Sequence, residues 1–327
     1  MATKRITVRE ALSTALREEM LRDERVFIMG EEVGVWGGTY AVTRGFYDEF
    51  GEDRVRDTPI SEMAIVGAGA GAAMAGLRPV AELMTINFAF LALDAIVNHA
   101  AKVHYMFGGQ FTCPIVIRTT TGGGRQLGAT HSHSPEVIFA HFPGLYVACP
   151  ATADDAYGML KTAIRDENPV LFVEHSTLYQ KRSEVPTDNP DYMVPVGKSN
   201  IIREGSDVTL VTFSKGVHIC LEAAEQLAQE GIEAEIVDLR WLRPLDSELF
   251  IESFKKTNRM VIVEEGLPRF GLGAEISAVV MEEAFDWIDA PIKRVTAYDA
   301  PLPYSRDIEQ MALPDANKVI TAVKEIV

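Results

Sequence analysis

Basic charge is scarce in this 327-residue chain: Lys and Arg number 31 against 47 Asp and Glu, a formal net charge of −16. A surface this acidic repels phosphate backbones and anionic lipid, which excludes nucleic-acid and membrane-surface binding as the main task and favours a basic protein partner. Cysteine is scarce too. Cys113, Cys149 and Cys220 are scattered and form no Cys-x-x-Cys pair, so a disulfide scaffold is excluded and a reducing compartment is indicated. The longest uncharged apolar stretch, Met63 to Leu77, is too short and too rich in glycine to span a bilayer. The first twenty residues have basic groups but no apolar core behind them, so they read as a helix and not as a signal peptide. The expected location is a cytoplasm of bacterial or archaeal type, with the mitochondrial matrix as the lesser alternative. No Gly-x-Ser-x-Gly elbow occurs and no Gly-Lys-Ser/Thr follows the triple glycine at Gly122–Gly124, leaving serine acyl transfer and a Walker-type loop there unsupported.

What is present is ordinary globular composition, 47% hydrophobic and 24% charged. At roughly 150 residues per domain the length suggests two domains. Short apolar runs alternate with helical patterns. Strands are expected at Val26–Met29, Pro79–Met84, Pro114–Arg118, Leu145–Cys149 and Val170–Glu174, with helices near Ser61–Gly76, Phe88–Tyr105 and Thr152–Asp166. The strand runs are apolar on both faces, as a buried parallel sheet requires. Thr7 with Glu10 and Thr152 with Asp155 read as capping boxes, and Leu12, Ala15, Leu16 and Met20 as the buried face of the first helix. From Lys181 to Asp207 the alternation stops, among Pro186, Pro190 and Pro195. A second series follows, with strands at Val208–Phe213, Ala234–Leu239, Met260–Glu264 and Lys293–Tyr298 and helices near Gly216–Gln229, Ala274–Phe285 and Pro314–Ile326. The pattern predicts an α/β chain of two doubly wound domains, 1–185 and 207–327, joined by a proline-rich linker over 186–206.

Three motifs need a chemical reading. Gly67-Ala-Gly69-Ala-Gly-Ala72 fits the loose dinucleotide fingerprint, but that string binds pyrophosphate only directly after a strand. Here Asp57-Thr-Pro-Ile-Ser-Glu-Met63 precedes it, so the glycines are expected inside a helix, with Gly67, Gly71 and Ala75 forming a smooth face for close packing. Gly122-Gly-Gly124 ahead of His131-Ser-His133 reads as a loop carrying polar groups to a cleft; its two histidines lack a third local metal ligand. Glu62, at the start of the glycine-rich helix, reads on position alone as a complement to the helix dipole.

Several strings together resemble the β subunit of the 2-oxoacid dehydrogenases. They are Gly30-Glu-Glu-Val33, Arg54-Val-Arg-Asp-Thr-Pro-Ile-Ser-Glu62, Gly76-Leu-Arg-Pro79, Met84-Thr-Ile-Asn-Phe88, His131-Ser, Pro143-Gly-Leu and Ala163-Ile-Arg-Asp-Glu-Asn-Pro169. In the second half, Asp238-Leu-Arg-Trp-Leu-Arg-Pro-Leu-Asp246, Val263-Glu-Glu-Gly266 and Pro301-Leu-Pro-Tyr304 agree. The match runs in order along nearly the whole chain, and Met84-Thr-Ile-Asn-Phe88 is most similar to the pyruvate dehydrogenase branch.

The resemblance implies a transketolase-like architecture, with a thiamine-diphosphate pyrimidine-binding domain followed by a transketolase C-terminal domain. It implies a 2-oxoacid substrate, an α subunit holding the diphosphate and Mg²⁺ in an α₂β₂ tetramer, and a lipoyl acyltransferase core as acyl acceptor. The absence of Gly-Asp-Gly here is consistent with that division. By match to the family motif, Glu62 is the carboxyl that meets the pyrimidine N1′ of the cofactor. A carboxyl in an apolar, glycine-lined cleft can share such a proton near neutral pH. Met84 and Phe88 would pack on the aminopyrimidine, Glu31 would belong to an acidic proton path, and His131 would orient the reacting intermediate or assist acyl transfer. The resemblance further implies K⁺ at the backbone of Ile115, Ala163, Ile164, Asp166 and Asn168. It also implies docking of the acyltransferase core at Asp289 and the C-terminal Val327.

Departures lie around the substrate pocket: Thr119-Thr-Thr-Gly-Gly123, Thr130 before His131, and Ser134-Pro-Glu136 with Phe139-Ala-His-Phe142, the last two strings being closer to the branched-chain branch. Branched-chain and acetoin dehydrogenase β subunits are therefore the alternatives within the family. A non-catalytic scaffold subunit and a nicotinamide-dependent oxidoreductase are the alternatives outside it.

Overall fold

The protein is described by a computed structural model over residues 3–327. One compact unit comprises the chain up to Thr121 together with Ile138–Val196; the other comprises Gly122–Val137 and Gly197–Val327.

In the first unit, β1 (Lys4–Thr7) leads into α1 (Val8–Arg22). The capping box forms: Thr7 Oγ1 accepts the Glu10 N–H at 3.1 Å, and Glu10 Oε2 accepts the Thr7 N–H at 2.8 Å. Leu12, Ala15, Leu16 and Met20 are buried as the helical period requires. Then come β2 (Val26–Gly30), α2 (Phe46–Phe50), β3 (Val55–Asp57), α3 (Glu62–Met74), β4 (Arg78–Leu83), α4 (Val103–Met106), β5 (Val116–Thr121), α5 (Glu136–Ala140), β6 (Tyr146–Ala148), α6 (Ala153–Arg165), β7 (Val170–His175) and β8 (Arg182–Val185). Six of these strands form a parallel sheet in the order β6-β7-β5-β4-β2-β3. Helix α1 is clamped to α6 by Arg165, whose Nε and Nη2 donate to Glu19 at 2.9 and 2.6 Å.

The glycine-rich string lies inside α3 and not at a strand–helix turn. A Cβ on Gly69 would meet Ile115 Cδ1 at 2.8 Å, so this glycine lets the helix lie close on the sheet, while Gly67 and Gly71 face open space. The expected helix over Phe88–Tyr105 is a relay of a 3₁₀ segment (Ile86–Ala92), a π segment (Ala95–Ala100) and α4. Nothing local in the sequence explains the break.

In the second unit, β9 (Asn200–Arg203), β10 (Val208–Thr212), α7 (Lys215–Gln229), β11 (Ala234–Asp238), the short strand β12 (Trp241–Arg243), α8 (Ser247–Thr257), β13 (Met260–Val263), α9 (Leu272–Glu283), β14 (Lys293–Val295), α10 (Arg306–Ala312) and α11 (Ala316–Lys324) follow one another. Its sheet runs β14-β13-β10-β11-β9, parallel except for β9. Leu210, Ile236 and Val261 of the sheet pack with Leu227 of α7 and Val319 of α11 in one core. The proline-rich stretch is not featureless: β8 pairs antiparallel with β1, and β9 lies antiparallel along β11. These edge strands carry charged residues, which is why an apolar pattern misses them.

Candidate functional site

The strand order places the first unit's reversal of winding between β2 and β4: the chain steps from β2 outward to β3, then crosses back to β4. In open α/β sheets, ligands bind beyond the carboxyl ends of the strands at such a point. Register aligns those ends, since Gly30 pairs with both Asp57 and Glu82. The residues issuing there are Glu31 after β2, Glu62 after β3 and Met84 after β4.

Glu62 opens α3 and is 7% exposed. Glu31 is half-buried, and burial, then the charges of Glu62 and Glu32, hold its carboxyl above the usual range. Glu31 Oε1 and Thr58 Oγ1 are buried side-chain oxygens without a hydrogen-bond partner among the described residues. The surrounding backbone is tied down: Thr58 N–H donates to Gly30 O at 2.9 Å, and Gly34 N–H donates to Asp57 Oδ1 at 2.7 Å. Met84 and Phe88 are half-buried. Thr120 Oγ1 donates to the Met84 carbonyl at 2.9 Å, and the Phe88 N–H donates to Thr85 O at 3.0 Å. Glu62, Glu31, Met84 and Phe88 thus issue from the aligned ends of adjacent strands.

Beneath them runs a buried charge ladder that sequence reasoning missed. Arg118 on β5 donates to Glu82 on β4 and, through Nε and Nη2, to Glu174 on β7, the Nη2 bond being 2.9 Å; Tyr179 Oη donates to Glu174 Oε2 at 2.5 Å. Burial pushes Glu82 above the usual carboxylate range against the opposing pull of Arg118. The signal was there in the sequence: single charges of opposite sign inside three apolar strand runs.

His131 lies in the loop Gly122–Val137, which belongs to the second unit. The side chain is exposed, and Thr130 Oγ1 lies 2.8 Å from His131 Nδ1. Of the five positions expected to hold K⁺, the carbonyls of Ile164 and Asp166 accept from Arg78 Nη1 at 2.9 and 3.0 Å, and that of Ile115 accepts the Val170 N–H at 2.9 Å. Asp289 is exposed on the surface; its N–H donates to Asn258 O at 3.2 Å, and the adjacent Arg259 Nε donates to Ile326 O at 2.8 Å. The Asn258–Arg259 turn thereby gathers Asp289 and the C-terminal end. Among the described residues, no group of three or more His, Cys, Asp or Glu is placed to hold a metal ion, and no helix is long and apolar enough to cross a membrane.

Two family models of the transketolase class match the chain: the transketolase pyrimidine binding domain matches residues 4–182, and the transketolase C-terminal domain matches residues 197–319. Among solved structures, a split-gene transketolase described as an inactive β4 tetramer superposes with a TM-score of 0.79 at 27% identity, covering 98% of each chain. The pyruvate dehydrogenase E1 component subunit beta of Rickettsia felis is 51% identical over 322 residues, 98% of each chain. The mitochondrial counterpart from Dictyostelium discoideum is 49% identical over 327 residues, 99% of this chain and 92% of the relative. The chain belongs to the family of pyruvate dehydrogenase E1 β subunits.

Proposed function

We propose that this chain is the β subunit of a thiamine-diphosphate-dependent 2-oxoacid dehydrogenase with pyruvate as its substrate, decarboxylating it and passing the acyl group to a lipoyl group of an acyltransferase core. The observation that carries the reading is the buried carboxyl of Glu62 at the winding reversal, beside a second carboxyl with an unpartnered buried oxygen. An aminopyrimidine needs such a set: a carboxyl for its ring nitrogen, further polar atoms for its exocyclic amine, and apolar side chains for its faces. Glu62, Glu31, Thr58, Met84 and Phe88 fit it.

Thiamine diphosphate supplies a nucleophilic thiazolium carbon when bound. The chain's own part is to prepare it. Glu62 would hold the pyrimidine N1′ by a hydrogen bond. Met84 and Phe88 would pack against the ring, where stacking of the Phe88 ring would be worth about 1 kcal/mol beyond burial. Glu31, whose carboxyl keeps a proton to higher pH than usual, relays protons as part of an acidic path. His131 acts in the acyl-transfer half of the reaction.

The remaining assignments follow from the same reading. An α subunit holds the diphosphate and Mg²⁺ in an α₂β₂ assembly, and the acyltransferase core docks at Asp289 and Val327, where acidic charge sets on-rate and specificity. A potassium ion at Ile115, Ala163, Ile164, Asp166 and Asn168 would share two carbonyls with the Arg78 guanidinium. The compartment is the cytoplasm, supported by three cysteines that are buried and outside any disulfide.

The test is Glu62→Gln in the complex with an α subunit. Loss of turnover by about 10²-fold or more, with assembly intact, is expected. Unchanged turnover would return the scaffold reading to first place. A branched-chain substrate is the second reading, favoured by the likeness of Ser134-Pro-Glu136 and Phe139-Ala-His-Phe142 to that branch. Turnover of a panel of 2-oxoacids separates the two.

A further inference from the structure

We propose that Glu265 is a positioning residue that fixes the His131 loop for the acyl-transfer half of the reaction; the inference rests on the function proposed above. Strand β13 ends at Val263 and is followed by two adjacent carboxylates that part ways. Glu264, 3% exposed, caps α9: its oxygens accept the N–H groups of Leu272 at 3.1 Å and Gly273 at 2.8 Å. That carboxylate is structural. Glu265 turns instead to the loop. Its Oε1 accepts the Gly123 N–H at 2.5 Å and the Ser134 hydroxyl at 3.4 Å, and its Oε2 accepts from Lys215 Nζ at 2.9 Å.

Gly123 and Ser134 stand on the two stems of the loop, whose neck is closed by the Gly122 N–H donating to His133 O at 3.1 Å. One carboxylate therefore holds both stems, and Lys215 holds the carboxylate. A second anchor grips the loop between the stems: Glu309, fully buried, accepts from Gln126 N–H at 3.2 Å and Gln126 Nε2 at 2.8 Å. A Cβ on Gly123 would fall 2.7 Å from Leu302 Cδ1, and one on Gly128 (φ +75°) would fall 2.5 Å from the Tyr304 ring, so the backbone is seated directly on the Leu302–Tyr304 segment. His131 is suspended between these anchors. Glycine-rich backbone has wide freedom of its own, so the anchors set where the imidazole lies. Displacement of a reacting group by about 1 Å can cost roughly 10²-fold in rate.

The experiment uses the assembled complex with its α subunit, carrying Glu265→Ala, Glu265→Gln, His131→Ala or the Glu265→Ala/His131→Ala pair. Two rates are compared: 2-oxoacid decarboxylation with a chemical oxidant as electron acceptor, and acylation of a free lipoyl domain. Glu265→Ala is expected to lower kcat for lipoyl acylation about 10-fold or more. Oxidant-coupled turnover and the KM for the lipoyl domain should stay close to wild type. Glu265→Gln, which keeps an acceptor for Gly123, should fall between, and the double variant should be no worse than His131→Ala alone. Equal loss in both assays, or additive loss in the double variant, would overturn the inference. Should Glu265→Ala fail to assemble, Glu265→Gln carries the same comparison. A wild-type complex that turns over no 2-oxoacid would overturn the underlying function instead, which an active wild type with an unaffected Glu265→Ala variant would not.

Discussion

Glu62 lies within electrostatic reach of Glu31, and its charge adds to burial in keeping a proton on the Glu31 carboxyl. In the window above the ordinary value of 4.5, native Glu31 therefore binds more protons than unfolded Glu31 does. Its contribution to stability falls as pH rises through that window. Glu62→Gln should lower the Glu31 titration midpoint, as followed by carboxyl carbon NMR of the labelled protein, and should flatten this part of the stability–pH curve.

Arg118 forms ion pairs with both Glu82 and Glu174 in the charge ladder. Arg118→Met would leave two buried carboxyls facing each other without a counterion, a loss of roughly 3–5 kcal/mol. Chemical denaturation should show a lower midpoint at neutral pH, with part of the loss recovered on acidification as the carboxyls take up protons.

The glycines of α3 divide by face. Gly67→Ala and Gly71→Ala meet open space and should stabilise the isolated chain by about 0.5–1 kcal/mol each through helix propensity. Gly69→Ala drives a methyl against Ile115 and should cost about 1 kcal/mol or more. Thermal melts of the three variants read the difference directly.

All three thiols are buried, and burial alone pushes Cys113 up to about 12. The thiolate is the reactive form. Native protein should therefore react negligibly with a disulfide exchange reagent at neutral pH, and should expose three equivalents when unfolded in denaturant.

Much of this was legible in the chain because burial leaves a simple trace. Strands β2, β4, β7, β10, β11 and β13 are covered on both faces and read as apolar runs. The caps at Thr7 and Thr152 are local devices and appear where the sequence puts them. Helix α8 lies outside the expected elements although Phe250, Ile251 and Phe254 recur at helical spacing. The edge strands β8 and β9 carry polar residues and left no such trace. In the candidate site, Glu62 on its own looked like a dipole complement; only the family strings around it pointed to chemistry. The anchoring of His131 by Glu265 and Glu309 spans more than a hundred residues of chain, and nothing in local spacing records it.

The excursion of Gly122–Val137 also decides how this polypeptide can be divided. A cut at Val196, where the last stretch of the first unit ends, would leave the N-terminal piece holding a segment that belongs to the other unit. That fragment would carry the glycine-rich neck and both histidines with nothing to seat them. Recombination that exchanges the C-terminal portion between relatives would therefore have to carry matching partners for Gly123, Gln126 and Gly128. Hybrid chains should tolerate a crossover near the proline-rich linker only when both parents agree at those contacts.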